Sequence, residues 1–326
     1  MIDERDGRLH GVGSDLAKPR RVAPVAFQWA VFPVVMAGAV AWALHAMATG
    51  SAAPESILAP QLSAIALVAI LEHVYPYHRT WNRPRRDIRV DATHSIVIAA
   101  VVALATPFVL AGGVAVGGWL SDRIGVGLWP TDWPLLAQAP LALVIGELPG
   151  YWVHRWQHEW DGLWRFHATH HSAPRLYWLN AGRFHPVDTL LTFIPSYGLL
   201  VVLGCGIEVL AIFTLVTAVH GIFQHANLQL RLGPLNHFFS MAELHRWHHS
   251  KTIEEANHNY GQTVIVWDTL FGTRFLPADR EPPEAIGIPD LAAFPMTWWA
   301  QILSPFRWGR IRRESAVPAT APGVSR

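Results

Sequence analysis

The sequence predicts an all-α integral membrane protein. It should have about four transmembrane helices and a membrane-embedded helical hairpin, with a cytoplasmic helical cap that carries clustered histidines. Three observations predict this. Of 326 residues, 51% are hydrophobic and only 15% charged, against about 25% charged in soluble domains. Apolar stretches of about 20 residues, enough to cross a bilayer, recur along the chain. Ten of the 18 histidines gather in four short clusters at the ends of those stretches.

The N-terminal tail, 1–22, is polar. No apolar run follows Met1 closely, so it reads as a disordered cytoplasmic tail and not as a signal peptide. The N-terminal transmembrane region, 23–133, holds spans at roughly 25–49, 60–77 and 93–118. A fourth span, roughly 134–153, opens the histidine-bearing region, 134–277. Within it the apolar run 188–224 is broken by Gly198, Gly204 and Gly206, and reads as two helices turning near "GCGIE". The segment 278–313 mixes Trp and Phe with basic residues. It is either an amphipathic segment at the membrane interface or a helix packed on the cap. The Pro/Ala/Ser-rich tail, 314–326, reads as disordered.

Loop charges set the orientation. Lys18, Arg20 and Arg21 precede the first span, and Arg79, Arg83, Arg85, Arg86 and Arg89 follow the second. The loop between spans one and two has no Lys or Arg, and the loop between three and four has only Arg123. Positive residues favour the cytoplasmic side. The N-tail, the 78–92 loop and every dense histidine cluster are therefore expected in the cytoplasm. A net charge of +1 gives no electrostatic footprint for nucleic acid. Cys205 is the single cysteine, which excludes a disulfide framework and a CxxC motif.

Four clusters carry the chemistry. "HRWQH" holds His154 and His158, "HATHH" holds His167, His170 and His171, "HGIFQHAN" holds His220 and His225, and "HRWHH" holds His245, His248 and His249. Positions i, i+3 and i+4 of a helix share a face, so each cluster is expected to aim its imidazoles one way, as one metal-binding edge. One metal takes four to six ligands, so this many imidazoles imply two metals. Imidazole suits iron, zinc, copper and nickel alike. His220 precedes His225 by five residues, a spacing that fits a straight helical face poorly and needs a distorted helix to reach a shared site. Lone histidines such as His10 and His45 read as interfacial polar residues.

Metal-bound imidazoles need partners on their other nitrogen. Glu147 lies seven residues before His154 on roughly the same face, and is either such a partner or an ion-pair partner of Arg155 or Arg165. Asp188, Asn227, Glu243 and Asp268 could play the same part or serve as caps. Arg246 and Trp247 are expected to face away from the metals, toward headgroups or packing.

These clusters resemble the fatty acid hydroxylase / sterol desaturase superfamily of integral-membrane histidine-box oxygenases. "YWVHRWQHEWDGLWRFHATHHSA" (151–173) is similar to its first two boxes, "NAGRFHPVD" (180–188) to the following segment, and "HRWHHSKTIEEANHNYGQTVIVWDTLFGT" (245–273) to its last box and the run after it. The resemblance covers roughly 140–277. It implies two irons held by His154, His158, His167, His170, His171, His225, His245, His248 and His249, with His220 as a tenth ligand. His258, beside "NYG", is a possible additional ligand or a polar loop residue. His185 fits the family's Arg-x-His-Pro segment as a ligand or an outer hydrogen-bonding group, and Asn259 joins Glu147, His185 and Asn227 as outer partners.

The resemblance further implies an O2-dependent lipid hydroxylase, a monooxygenase acting on an unactivated C–H of an acyl chain, a sterol or isoprenoid, or a lipid head group. No haem, iron–sulfur or dinucleotide motif is present, so electrons are expected from a separate ferredoxin, cytochrome or flavoprotein reductase. A bacterial inner-membrane enzyme is the expected setting. A desaturase of the same superfamily is the alternative outcome. From other classes, a zinc-dependent membrane hydrolase would want HExxH, which "HEWDG" at 158–162 does not supply. A non-catalytic metal-binding membrane protein would spread its histidines along the spans.

Overall fold

The structure, a computed structural model, describes residues 21–316. The expected tails, 1–22 and 314–326, lie outside the described residues, except for residues 21–22 and for 314–316, which complete the last helix. Among the described residues the chain is helical and has no strand. In order come α1 (Val25–Ala48), α2 (Ala53–Ser56), α3 (Leu58–Val74), α4 (Ile88–Ile124), α5 (Leu135–Glu159), α6 (Asp161–His171), α7 (Pro186–Leu203) and α8 (Ile207–His225). Shorter helices follow: α9 (Ala242–His248), α10 (Ile253–Ala256), α11 (Val266–Leu270), α12 (Trp298–Ile302) and α13 (Trp308–Ala316).

Five helices are long and apolar enough to cross a membrane: α1, α2–α3 taken together, α4, α7 and α8. The chain is an integral membrane protein. The hairpin expected at 188–224 is two such helices, joined at Gly204, whose φ of +92° suits glycine. The expected fourth span differs. α5 is not among the five, since it carries Gln138, Glu147 and two prolines, and it continues past 153 to Glu159. The first histidine cluster therefore sits on the last turns of α5 itself.

α8 is the central helix. Of its most apolar window 67% is buried within the protein, against 6% for α4. Around α8 pack α1, α3 and α5, and α7 joins α5 to α4. Ile96, Leu104 and Phe108 of α4 point outward, a surface suited to lipid. The α4–α7 contact explains two glycines of α4: a Cβ on Gly113 would come 2.7 Å from Val201 Cγ1, and one on Gly117 would meet the Val202 backbone. Small residues let helices approach closely where lipid offers no hydrophobic drive.

The segment between α6 and α7 is held by buried ion pairs from the start of α4. Arg175 bonds Asp87 at 2.6 and 3.0 Å, Arg183 pairs with Asp91 at 3.1 Å, and the Tyr177 hydroxyl donates to Asp91 at 2.7 Å. Burial works to raise the Asp87 pKa, but the Arg175 hydrogen bonds and the Arg85 amide hold it below the usual carboxylate range. The C-terminal segment packs on α6. Trp308 and Ile311 bury against Ala168 and Trp164 of α6, while Trp299 and Phe306 stay exposed.

Candidate metal centre

α5 and α6 are separated by Trp160 alone, so the chain folds back and sets the end of one helix against the other. His154 Nε2 and His167 Nε2 come within 3.1 Å. The C-terminal end of α8 and the short α9 close the site from the opposite side. Nine imidazoles result, in two groups. His154, His158, His167, His171 and His248 form the first, and His170, His225, His245 and His249 the second, with the ligand-capable atoms of each group within 4.8 Å of one another. The groups adjoin, with the His171 and His249 rings stacked at 4.4 Å.

Each HxxHH box is split between the groups, contrary to the expectation that its rings aim one way. His167 and His171 join the first group and His170 the second. In α9 the sense is reversed, with His245 and His249 in the second group and His248 in the first. The reason is helical geometry. At ~100° per residue, i and i+4 diverge by only ~40°, while i+3 and i+4 stand ~100° apart.

Most rings have a fixed outer partner. His154 Nδ1 donates to the Tyr260 carbonyl at 2.6 Å, His167 Nδ1 to Asp188 at 2.9 Å and His248 Nδ1 to the His258 carbonyl at 2.8 Å. His158 Nδ1 lies 3.3 Å from Asn257 Oδ1, and His225 Nδ1 2.9 Å from Asn180 Oδ1. Gln157 in turn donates to Asp188 at 2.7 Å. Each of these five bonds to a ring leaves Nε2 as the inward atom.

The inward atoms suit a cation. Nε2 of His158, His171 and His248 is buried without a hydrogen-bond partner. In the second group His245 Nε2 lies 2.9 Å from both His225 Nε2 and His249 Nε2. One proton cannot serve both contacts. Burial, the largest cause, pushes His167, His170, His171, His245, His248 and His249 well below the ordinary imidazole pKa, and neighbouring imidazoles add to it. The rings are therefore neutral, the form that binds metal. Four and five neutral imidazoles fit one metal each.

Other expected residues lie elsewhere. His220 joins neither group: its ring sits among Phe32 and Phe239, on a face of α8 turned away from His225. His258 contributes its carbonyl, while its ring packs on Phe275. His185 caps α7, accepting from Val187 N, and its Nε2 donates to the Ile302 carbonyl. It bonds no clustered histidine, yet it starts the turn that presents Asp188. Glu147 pairs with neither Arg155 nor Arg165, nor does it bond His154. Its Oε2 accepts from the amides of Thr263 and Val264. Asn227 bonds His78 and Asn82, and Asn259 bonds Leu244 and Phe275. Glu243 accepts from Leu232 and Asn236, and Asp268 from Tyr260, Gly261 and Thr273. Arg246 does not reach toward headgroups. It is buried, donating to the Ala226 and Leu228 carbonyls.

Sequence reasoning missed Asn180 and Asn257, although Asn180 opens the quoted "NAGRFHPVD". It also missed the two backbone carbonyls, which no side-chain pattern reveals.

A cavity of about 760 Å³ opens onto both groups, touching His154 and His167 of the first and His170, His225 and His245 of the second. Its walls include Ile65, Ile98, Val102, Phe193, Phe213 and Ile222 from α3, α4, α7 and α8. On the other side a groove of about 680 Å³ between α6 and α13 reaches His158 and His171.

A fatty acid hydroxylase family model matches residues 139–273. Ornithine lipid hydroxylase OlsE of Rhizobium tropici is 39% identical over 254 residues, which is 76% of this chain and 75% of that protein. Alkylglycerol monooxygenase of Homo sapiens is 30% identical over 155 residues, 48% of this chain and 34% of that one. Methylsterol monooxygenase 1 of Gallus gallus is 28% identical over 146 residues, 44% of this chain and 48% of that one. The matched region thus spans less than half the length of these last two. No solved structure matches.

Proposed function

Because the chain belongs to the fatty acid hydroxylase superfamily and is an oxidoreductase acting on lipid, we propose that it is a di-iron, O2-dependent hydroxylase of a membrane lipid. The observation that carries this reading is the pair of all-imidazole groups facing one largely apolar cavity. His154, His158, His167, His171 and His248 would hold one iron, and His170, His225, His245 and His249 the other. When bound, the irons supply O2 activation and hydrogen abstraction from an unactivated C–H. In the balanced reaction, lipid, O2, two electrons and two protons give hydroxylated lipid and water. The electrons come from a separate ferredoxin, cytochrome or flavoprotein reductase.

The chain's own residues do the rest. Outer hydrogen bonds to Asp188, Asn180, Asn257 and two backbone carbonyls fix the tautomers of His154, His158, His167, His225 and His248 and raise their basicity. Burial keeps the imidazoles neutral. The apolar walls exclude water and align an alkyl chain, and a lipid enters sideways from the bilayer. Ornithine lipids are the first substrates to test, since a hydroxylase of those lipids is related over three quarters of its length. The loop charges favour an orientation with the N-tail and the metal centre cytoplasmic, and the relative from Rhizobium tropici favours a bacterial inner-membrane setting.

The test is a lipid profile of a host expressing the protein under isotopically heavy O2. Hydroxylation predicts a lipid that gains one heavy oxygen. Loss of two hydrogens without label would instead make the chain a desaturase.

A further inference from the structure

We propose that Glu72, at the end of α3, is a positioning residue for the second histidine group. The proposal rests on the reading that both groups hold a metal. Glu72 is 1% exposed, and one carboxylate oxygen, Oε1, accepts from two backbone amides, Trp178 N and Asn227 N, each at 2.8 Å. These amides belong to segments far apart in the chain. Two residues after Trp178 stands Asn180, and two before Asn227 stands His225. Asn180 Oδ1 lies 2.9 Å from His225 Nδ1. The oxygen of Glu72 therefore pins the linker to the end of α8 at the place where that amide–imidazole bond crosses between them.

The consequence is local to one group. Asn180 is set by its own clamp, its Oδ1 accepting from Tyr177 N at 3.2 Å and its Nδ2 donating to the Arg175 carbonyl at 2.5 Å. Accepting from His225 keeps the proton on Nδ1 and leaves Nε2 free to face His245 at 2.9 Å. If the linker and α8 drift apart, His225 loses both its tautomer and its aim. The outer partners of the first group, Asp188, Asn257, Tyr260 and His258, are tied to other segments and do not depend on Glu72. Glu72 also lies outside the stretch, 139–273, that the family model matches. The N-terminal spans are thus part of the metal centre and more than an anchor. What the position requires is an oxygen at that reach, and the charge is secondary.

The experiment is a titration of metal-free, detergent-purified full-length protein with Zn²⁺ alone. Wild type should show two sites per chain. Glu72→Asp, one methylene shorter, should weaken one site by about ten- to hundred-fold, the usual cost of losing an outer-shell partner, and leave the other unchanged. Glu72→Gln, which keeps the oxygen, should restore both sites. Asn180→Ala should reproduce the single-site loss and carries the comparison if Glu72→Asp does not fold. Two unchanged sites in a folded Glu72→Asp variant, two unchanged sites in Asn180→Ala, or equal weakening of both sites in either, overturns the positioning role alone. Fewer than two sites in wild type overturns it together with the two-metal reading.

Discussion

His167 Nδ1 lies 2.9 Å from Asp188 Oδ2, both side chains buried, and the carboxylate comes from the first turn of α7. This contact joins the histidine-bearing helix α6 to α7, a helix long and apolar enough to span a membrane. Replacing Asp188 by Ala should weaken metal at the first group by about ten- to hundred-fold, measured by zinc titration. Asp188→Asn, which keeps an acceptor, should lose less.

The split boxes predict unequal partners within one short helix. His248→Ala should deplete the first group, and His249→Ala the second, although the two residues are adjacent. Metal analysis of each variant should find about one equivalent lost, and lipid product should vanish in both. Loss of both metals in each variant would mean that the groups do not bind independently.

The buried imidazoles give a pH dependence with a definite sign. His167, His170, His171, His245, His248 and His249 have folded pKa values depressed below 6.5. Below pH ~6.5 the unfolded chain binds protons that the folded chain does not. Their stabilising contribution is therefore complete above that pH and is lost as pH falls through it. The unfolding temperature of metal-free protein should drop steadily from pH 7 to pH 5, and the metal-loaded protein should resist the fall until protons displace the metal.

Packing of α4 on α7 leaves no room at Gly113. Gly113→Ala should cost about 1–3 kcal/mol through overpacking, seen as a lower unfolding temperature in detergent, whereas Gly112→Ala, which faces open space, should be close to neutral.

Much of this was legible in the sequence, for local reasons. Hydropathy located α1, α3, α4, α7 and α8 because a span must be apolar along its whole length. α5 is less apolar than these five, with Gln138 and Glu147 buried among neighbours, and the helix runs on past the expected 153 to Glu159. Spacing singled out all nine clustered histidines, and the family resemblance named them as ligands. Helical angles separate i and i+4 from i+3, but which group each part joins depends on what faces each helix. His220 was drawn in by proximity in sequence, while the twist of α8 turns it toward Phe32 and Phe239. Asn180 and Glu72 carried no local pattern. Their roles arise from contacts spanning 45 to 155 residues, which only the packed structure brings together.

Iron content of the purified chain tests the central claim most directly. Protein expressed with ample iron should carry about two irons per chain. Stoichiometric zinc in place of iron, with no O2-dependent turnover of any lipid, would contradict the account.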